Sequence, residues 1–258
     1  MDEEIRAYYE TGVEAERLRE GYSRVEFERT KEIVARCLPA GRARVLDVGG
    51  GPGAYADWLA GEGHEVRLVD AAPLHVQQAL ERAQGRFTAV EGDARSLDEP
   101  DGAYDVVLLL GPLYHLTERE DRLKALREAH RVLRPAGVVV AAVISRFASL
   151  LDGLSRRYLG DPRFWRIVEQ DLADGQHRAP LGDAHLFTTA FFHRPEELAQ
   201  EVEAAGFALD AVLGVEGPGW LAIDSADFED ILRVARAVEA EPSLLGASAH
   251  LLAVGHKH

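Results

Sequence analysis

The chain has 258 residues, 47% hydrophobic and 28% charged, a size and balance that suit one large domain carrying an insertion. Its 29 basic and 44 acidic residues leave a net charge of −15, which repels phosphate backbones and argues against a nucleic-acid partner. Cys37 is the one cysteine, which excludes an intramolecular disulfide, and no run is apolar enough for a signal core or a membrane span, so a cytoplasmic protein without membrane contact is expected.

Residues 1–40 mix charged and apolar residues at helical spacing and stop at Pro39, which predicts a helical N-terminal cap. From Arg44 the pattern alternates. Strand-like runs cover Val45–Val48, Glu65–Val69, Arg86–Val90, Asp105–Leu110 and Gly137–Ile144, with helix-like runs at Ala54–Gly61, Pro73–Ala83 and Thr117–Leu133. Strands alternating with helices imply βαβ units and a parallel sheet covered on both faces, here over residues 41–144. The rhythm breaks after Ile144, and residues 145–190 read as a mostly helical insertion over the carboxyl edge of the sheet. Residues 191–258 then complete the sheet, with a helix at Pro195–Ala205, a strand at Phe207–Gly214, a helix at Phe228–Glu239 and a last strand at His250–Gly255.

The densest signal is Arg44-Val45-Leu46-Asp47-Val48-Gly49-Gly50-Gly51-Pro52-Gly53, a strand running into a glycine-rich turn. Bare backbone there lets a ligand approach where a Cβ would clash. In open α/β sheets ligands sit beyond the carboxyl ends of the strands, and acids follow the next two strands in register. Asp70, with Ala71 after it, ends the second strand and can accept both hydroxyls of a ribose. Asp93 follows the third strand and can accept from the exocyclic amine of adenine, with the Ala94 amide facing a ring nitrogen. Asp47 lies where its charge can order the loop and neighbour an ammonium group.

The spacing Asp47-x-Gly49-x-Gly51-x-Gly53 resembles motif I of class I S-adenosylmethionine-dependent methyltransferases. Arg131-Val132-Leu133-Arg134-Pro135-Ala136-Gly137 is similar to the turn before strand five in that superfamily, with Ala136 where the family usually has glycine. Leu110-Gly111-Pro112-Leu113-Tyr114-His115-Leu116 resembles the motif IV region of bacterial small-molecule methyltransferases. The resemblance covers about residues 40 to 145. It implies a doubly wound, seven-stranded, mostly parallel Rossmann-like sheet with a helical lid, S-adenosyl-L-methionine as cofactor, S-adenosyl-L-homocysteine as product, and Leu110 carbonyls near the sulfonium. Two other readings stay open. Gly49-x-Gly51-x-x-Ala54 also satisfies a loose dinucleotide fingerprint, which would make the chain a nicotinamide-dependent oxidoreductase. A non-catalytic S-adenosylmethionine-binding regulator would use the same pocket.

Methyl transfer needs alignment of acceptor and methyl carbon and, for some acceptors, removal of a proton. The segment after strand four lacks the side chains that hold a flipped nucleobase, and no acidic cluster there resembles a catechol-type metal site. A metal-free O- or N-methylation of a small molecule, by a monomer or homodimer, is the expectation. His115 is the first candidate base and His193 the second, because a neutral imidazole accepts protons near pH 7. Tyr114, Trp165 and Trp220 are candidate walls of the acceptor pocket. Tyr8, Tyr9, Tyr22 and Phe164 are candidate lid residues, and Arg29 or Arg17 can pair with the methionine carboxylate. His177 and His185 are expected to make lid contacts only.

Overall fold

The computed structural model describes residues 21–178 and 187–258. Tyr8, Tyr9, Arg17, His185 and the side chain of Tyr22 lie outside the described residues, so those expectations stay untested. The first helix is α1 (Gly21–Cys37), followed by β1 (Arg44–Val48), α2 (Ala54–Gly61), β2 (Glu65–Asp70), α3 (Pro73–Ala83), β3 (Thr88–Glu91) and β4 (Tyr104–Leu109). A short 3₁₀ turn at Leu113–His115 leads into α4 (Arg119–Val132) and the long strand β5 (Leu133–Ser145). The insertion holds α5 (Ala148–Ser155), α6 (Pro162–Asp174) and β6 (Gln176–His177). The chain ends with β7 (Ala190–His193), α7 (Pro195–Ala204), β8 (Ala208–Gly214), α8 (Phe228–Val238) and β9 (His250–His256).

β1 pairs in parallel with β2 and β4, β2 with β3, and β4 with β5, giving the order β3-β2-β1-β4-β5. β9 runs antiparallel between β5 and β8 and completes a seven-stranded body. The insertion differs from its helical expectation at its end, where it closes with β6, hairpinned to β7. β7 takes the edge of β5 beyond the end of β4, with Ile144 opposite Phe192 and Ser145 opposite His193. A nine-stranded sheet results among the described residues.

Alternation along β5 sorts the two layers. Val140 and Ala142 pack with Ile33 and Val34 of α1, Leu59 of α2 and Ala79 of α3. Val139, Ala141 and Val143 pack with Leu126 of α4 and Leu198 and Val202 of α7. The apolar run of β4 is buried on both faces for the same reason, since helices cover both sides of a parallel sheet. Ile144 has the parity of Val140 and Ala142, so it continues the α1–α3 face past the carboxyl end of β4. That corner holds a small satellite core of Tyr114, Ile144, Ala190 and Phe192, with Phe187 against it.

Candidate functional site

The glycine turn is built by close approaches. Gly49 sits at φ +68° and a Cβ there would come 2.8 Å from Pro112 Cδ, so the turn after β4 presses directly on the loop. A Cβ on Gly50 would fall 2.5 Å from Asp47 Oδ2 and 2.6 Å from Leu68 Cδ1. A Cβ on Gly53, at φ +81°, would come 3.0 Å from Phe87 and 3.3 Å from Ala79 of α3, so its absence lets the start of α2 lie close to α3. At Gly51, φ +56°, the nearest atom a Cβ would meet is His75 Nδ1 at 4.0 Å. Backbone is thus presented to open space at Gly51 and to packed protein at its neighbours, as a ligand cradle requires.

Asp70 closes the cradle from β2. Its Oδ2 accepts from Gly51 N at 2.8 Å and its Oδ1 from Ala72 N at 2.8 Å, with His75 Nδ1 at 3.2 Å. Both oxygens keep lone pairs, because a carboxylate has about four acceptor positions. The carboxylate is therefore fixed in place at the end of β2, beside Ala71, before any hydroxyl arrives. His75, on the first turn of α3, was not a candidate from sequence; the only signal was its place five residues after Asp70.

Asp47 is fully buried under Gly50, and among the described residues neither of its oxygens makes a close hydrogen bond, the Ala56 backbone lending only a weak one. Burial, with the neighbouring Asp70 charge second, pushes its carboxyl up to about 7. A buried carboxyl without a close donor costs free energy unless something at the loop supplies one. An ammonium group lying over the loop would do so, and this buried acid is the observation by which the residues fit a cofactor with an amino-acid tail.

Asp93 follows β3 at half-exposure, and its carboxylate is engaged from within the protein. Arg95 donates Nε to Oδ1 at 2.9 Å and a terminal nitrogen to Oδ2 at 2.6 Å, and its amide donates to Oδ1. These bonds, the Arg95 side chain first, hold Asp93 at about 2. The Asp93–Ala94 turn is thus preset, with the carboxylate ionised and a guanidinium beside it, which differs from the open acceptor expected from sequence. Leu110 follows directly on β4, packed on the α1–α3 layer next to the Gly111–Pro112 contact with the loop.

His115 and Tyr114 stand beyond β4 at the same corner, their rings 4.6 Å apart, with Phe187 5.8 Å from His115 and 6.1 Å from Tyr114. Desolvation pushes His115 down to about 4, against smaller upward effects from the Thr189 backbone and Asp70. Its imidazole is neutral at pH 7 but a poor proton sink there, which corrects its expected role as a base at neutral pH.

The other candidates lie elsewhere. His193 is fully buried with Nε2 3.3 Å from Glu201 Oε2, and Glu201 in turn receives Arg122 at 2.8 Å. Its neighbour on that face is Phe191, and both point toward α4 and α7, opposite to Phe192 and the satellite core. Period-2 alternation in β7 excludes it from the corner. Arg29 is buried and its guanidinium is bonded by Glu32 and Glu239, tying α1 to the end of α8. It is a structural cation, and not one held ready for a methionine carboxylate. Trp165 is 39% exposed on α6 and donates Nε1 to Glu169. Trp220 is buried and donates Nε1 to Ala247 O at 2.9 Å, packing beneath its own loop.

Residues 45–137 match the family described as "Methyltransferase domain". The chain is 34% identical over 141 residues to the ubiquinone/menaquinone biosynthesis C-methyltransferase UbiE of Yersinia enterocolitica, covering 50% of this chain and 54% of that protein. It spans about half the length of the curated relatives it matches. Its fold is shared with an S-adenosylmethionine-dependent methyltransferase from Methanosarcina mazei, at 18% identity and TM-score 0.61 over 87% of this chain and 96% of that one. It is shared also with one from Mesorhizobium loti, at 17% identity and TM-score 0.60 over 89% and 98% of the two chains. Residues 45–137 thus match a methyltransferase domain, and the chain shares its fold with solved S-adenosylmethionine-dependent methyltransferases.

Proposed function

We propose that this chain transfers a methyl group from S-adenosylmethionine to an oxygen or nitrogen of a small organic acceptor, without a metal. The observation that carries the cofactor half of this reading is the pair of acids at the glycine loop, Asp70 locked onto Gly51 N and Asp47 buried beneath Gly50 with no close donor. The cofactor, when bound, supplies an electrophilic methyl on a positively charged sulfur. Asp70 and the Gly51 backbone hold the ribose, Asp47 offsets the ammonium, and the Asp93–Ala94 turn faces the base. The Gly111–Pro112 turn, fixed against Gly49, sets where the methyl lies relative to Tyr114 and Ile144. Those residues and Phe192 give the acceptor an apolar seat that excludes water. The net charge of −15 supports a small-molecule acceptor over nucleic acid, and cytoplasmic action as a monomer or homodimer belongs to the same reading. Among the described residues no helix is long and apolar enough to cross a membrane.

Calorimetric titration tests it, using S-adenosylmethionine, S-adenosylhomocysteine and, as control, NADH. Micromolar binding of the first two and none of NADH is expected, as is at least a tenfold loss in Asp70→Ala. NADH binding alone would transfer the site to hydride chemistry. Binding without consumption across a broad acceptor screen would favour a sensor.

A further inference from the structure

The corner beyond β4 contains an imidazole that neither the cofactor geometry nor the sequence reading uses. His177, at the end of the insertion, is 3% exposed, and its Nδ1 lies 2.9 and 3.1 Å from the two carboxylate oxygens of Asp171 on α6, itself 1% exposed. A carboxylate accepts from a ring N–H, so Nδ1 carries the proton and Nε2 is left with its lone pair. That Nε2 is buried and has no hydrogen-bond partner among the described residues. A buried acceptor held in one tautomer and left unpaired asks for a donor from outside the chain.

Strand parity says where it lies. His177 is opposite Ala190 in the β6–β7 hairpin, and directly opposed residues share a face. Ala190 and Phe192 belong to the satellite core with Tyr114 and Ile144, the face that continues the α1–α3 layer over the cofactor side of the sheet. The His177 ring stacks on Phe192 at 4.7 Å and 9° between planes, and Phe187 bridges it to His115, at 6.3 Å from the one and 5.8 Å from the other. The Gln176 side chain bonds to Thr117 O at 3.2 Å, fastening the hairpin to the loop after β4. Arg178 donates to the His177 carbonyl, and among the described residues Asp171 is the one acid bonded to the ring.

We propose that His177, set by Asp171, takes the proton of a phenolic hydroxyl on a flat aromatic acceptor seated among Tyr114, Phe187 and Phe192. This rests on the methyltransferase reading above. Aromatic walls suit a flat ring, and an imidazole nitrogen with a free lone pair accepts from a hydroxyl on that ring. In the step, the phenol O–H proton passes to His177 Nε2 and the oxygen lone pair forms the new O–C bond. The methyl C–S bond breaks with its electron pair left on sulfur, so the sulfonium charge is lost. The imidazolium so formed is balanced by Asp171 and later returns its proton to water.

The test uses the whole chain saturated with S-adenosylhomocysteine and 4-nitrophenol as probe, followed by histidine side-chain ¹⁵N spectra. In the probe-free protein His177 should show a protonated Nδ1 and an unprotonated Nε2. Adding 4-nitrophenol should shift the Nε2 resonance, and the bound probe should gain nitrophenolate absorbance near 400 nm relative to free probe at the same pH. His177→Asn and Asp171→Asn should lose that gain while keeping cofactor-product affinity within about twofold. A His177 Nε2 that does not respond to bound probe, a probe that fails to bind, or a gain that survives His177→Asn overturns the assignment. The wild-type spectra decide the point even if a variant does not fold. Failure of S-adenosylhomocysteine itself to bind is a separate result and overturns the methyltransferase reading beneath it.

Discussion

The β1–β3 half and the β5–β9 half of this protein place their polar groups by different means. Around β1–β3 the acids are held beside turns, Asp70 by Ala72 N two residues on, together with Gly51 N from the glycine loop 19 residues back, and Asp93 by Arg95 two residues on. Around β5–β9 the polar side chains are positioned by partners far away in the chain or on another element. Arg122 meets Glu201 on α7, Arg146 meets Glu197, and the fully buried Glu216 accepts from Ser248 Oγ at 2.7 Å and from His250 N at 2.9 Å. Local turn chemistry is readable from sequence because its partners are neighbours. Long-range pairing is set by topology and strand parity, so one sequence segment can supply a site residue and the next a core residue.

The largest loss is expected at Gly50. Gly50→Ala drives a Cβ into Asp47 and Leu68, and such overpacking costs about 1–3 kcal/mol. A lowered Tm and more than tenfold weaker S-adenosylhomocysteine binding are expected. Full affinity at normal Tm would mean that the loop is not built as described. The matching change Gly51→Ala meets open space and carries only the backbone penalty of its positive φ, about 1–2 kcal/mol.

Asp47 gives the β1–β3 half its own pH signature. Its folded pKa of about 7 lies above the usual carboxylate value near 3.9, so the folded state disfavours the ionised form. Below about pH 4 both states are protonated and nothing is lost; as pH rises from there to about 7 stability falls, by on the order of 4 kcal/mol at most. Denaturant unfolding at pH 5 and pH 8 measures it, and Asp47→Asn should flatten the difference. An ammonium over the loop favours the ionised form, so cofactor affinity should rise between pH 6 and 8. A pH-independent affinity would move the ammonium elsewhere.

His193 sharpens the contrast from the other side. His193→Leu removes one partner of Glu201, a carboxylate that burial pushes up but that His193 and Arg122 hold down at about 2. Thermal unfolding should show a loss of about 1–3 kcal/mol with cofactor affinity unchanged. Loss of turnover at unchanged Tm would return His193 to the site. The smallest effect is expected at Ala136, whose φ of +61° is the left-handed conformation that glycine adopts without strain. Ala136→Gly should stabilise by up to about 1 kcal/mol, or about 2–4 °C in Tm, with binding untouched.

The chain order and most element boundaries were legible before the fold. α2 and α3 run over Ala54–Gly61 and Pro73–Ala83, as the periodicity, the glycine turn and Pro73 at a first helical turn predict. β6 was not legible: two residues of strand, Gln176 and His177, have no periodicity and exist only because β7 offers them an edge. Arg29 read as a partner for the methionine carboxylate and is instead buried in an ion pair, because Glu32 lies one turn on and Glu239 comes from the far end of the chain. Trp220 read as a pocket wall because an aromatic after a glycine-proline turn has no sequence mark that separates packing from lining.

By itself the sequence determined the glycine cradle, the acids at the ends of β1, β2 and β3, and the parallel core that aligns them. Each depends on spacing within one turn or one strand, and short-range sterics and hydrogen bonding decide those. Only the tertiary structure decided which histidine faces the acceptor corner. His177 and His193 are both neighbours of the same hairpin strand, and the pleat turns one toward Tyr114 and Ile144 and the other toward Glu201. A side chain's face is a property of the register between strands, and that register is settled when β5, β7 and β9 pair.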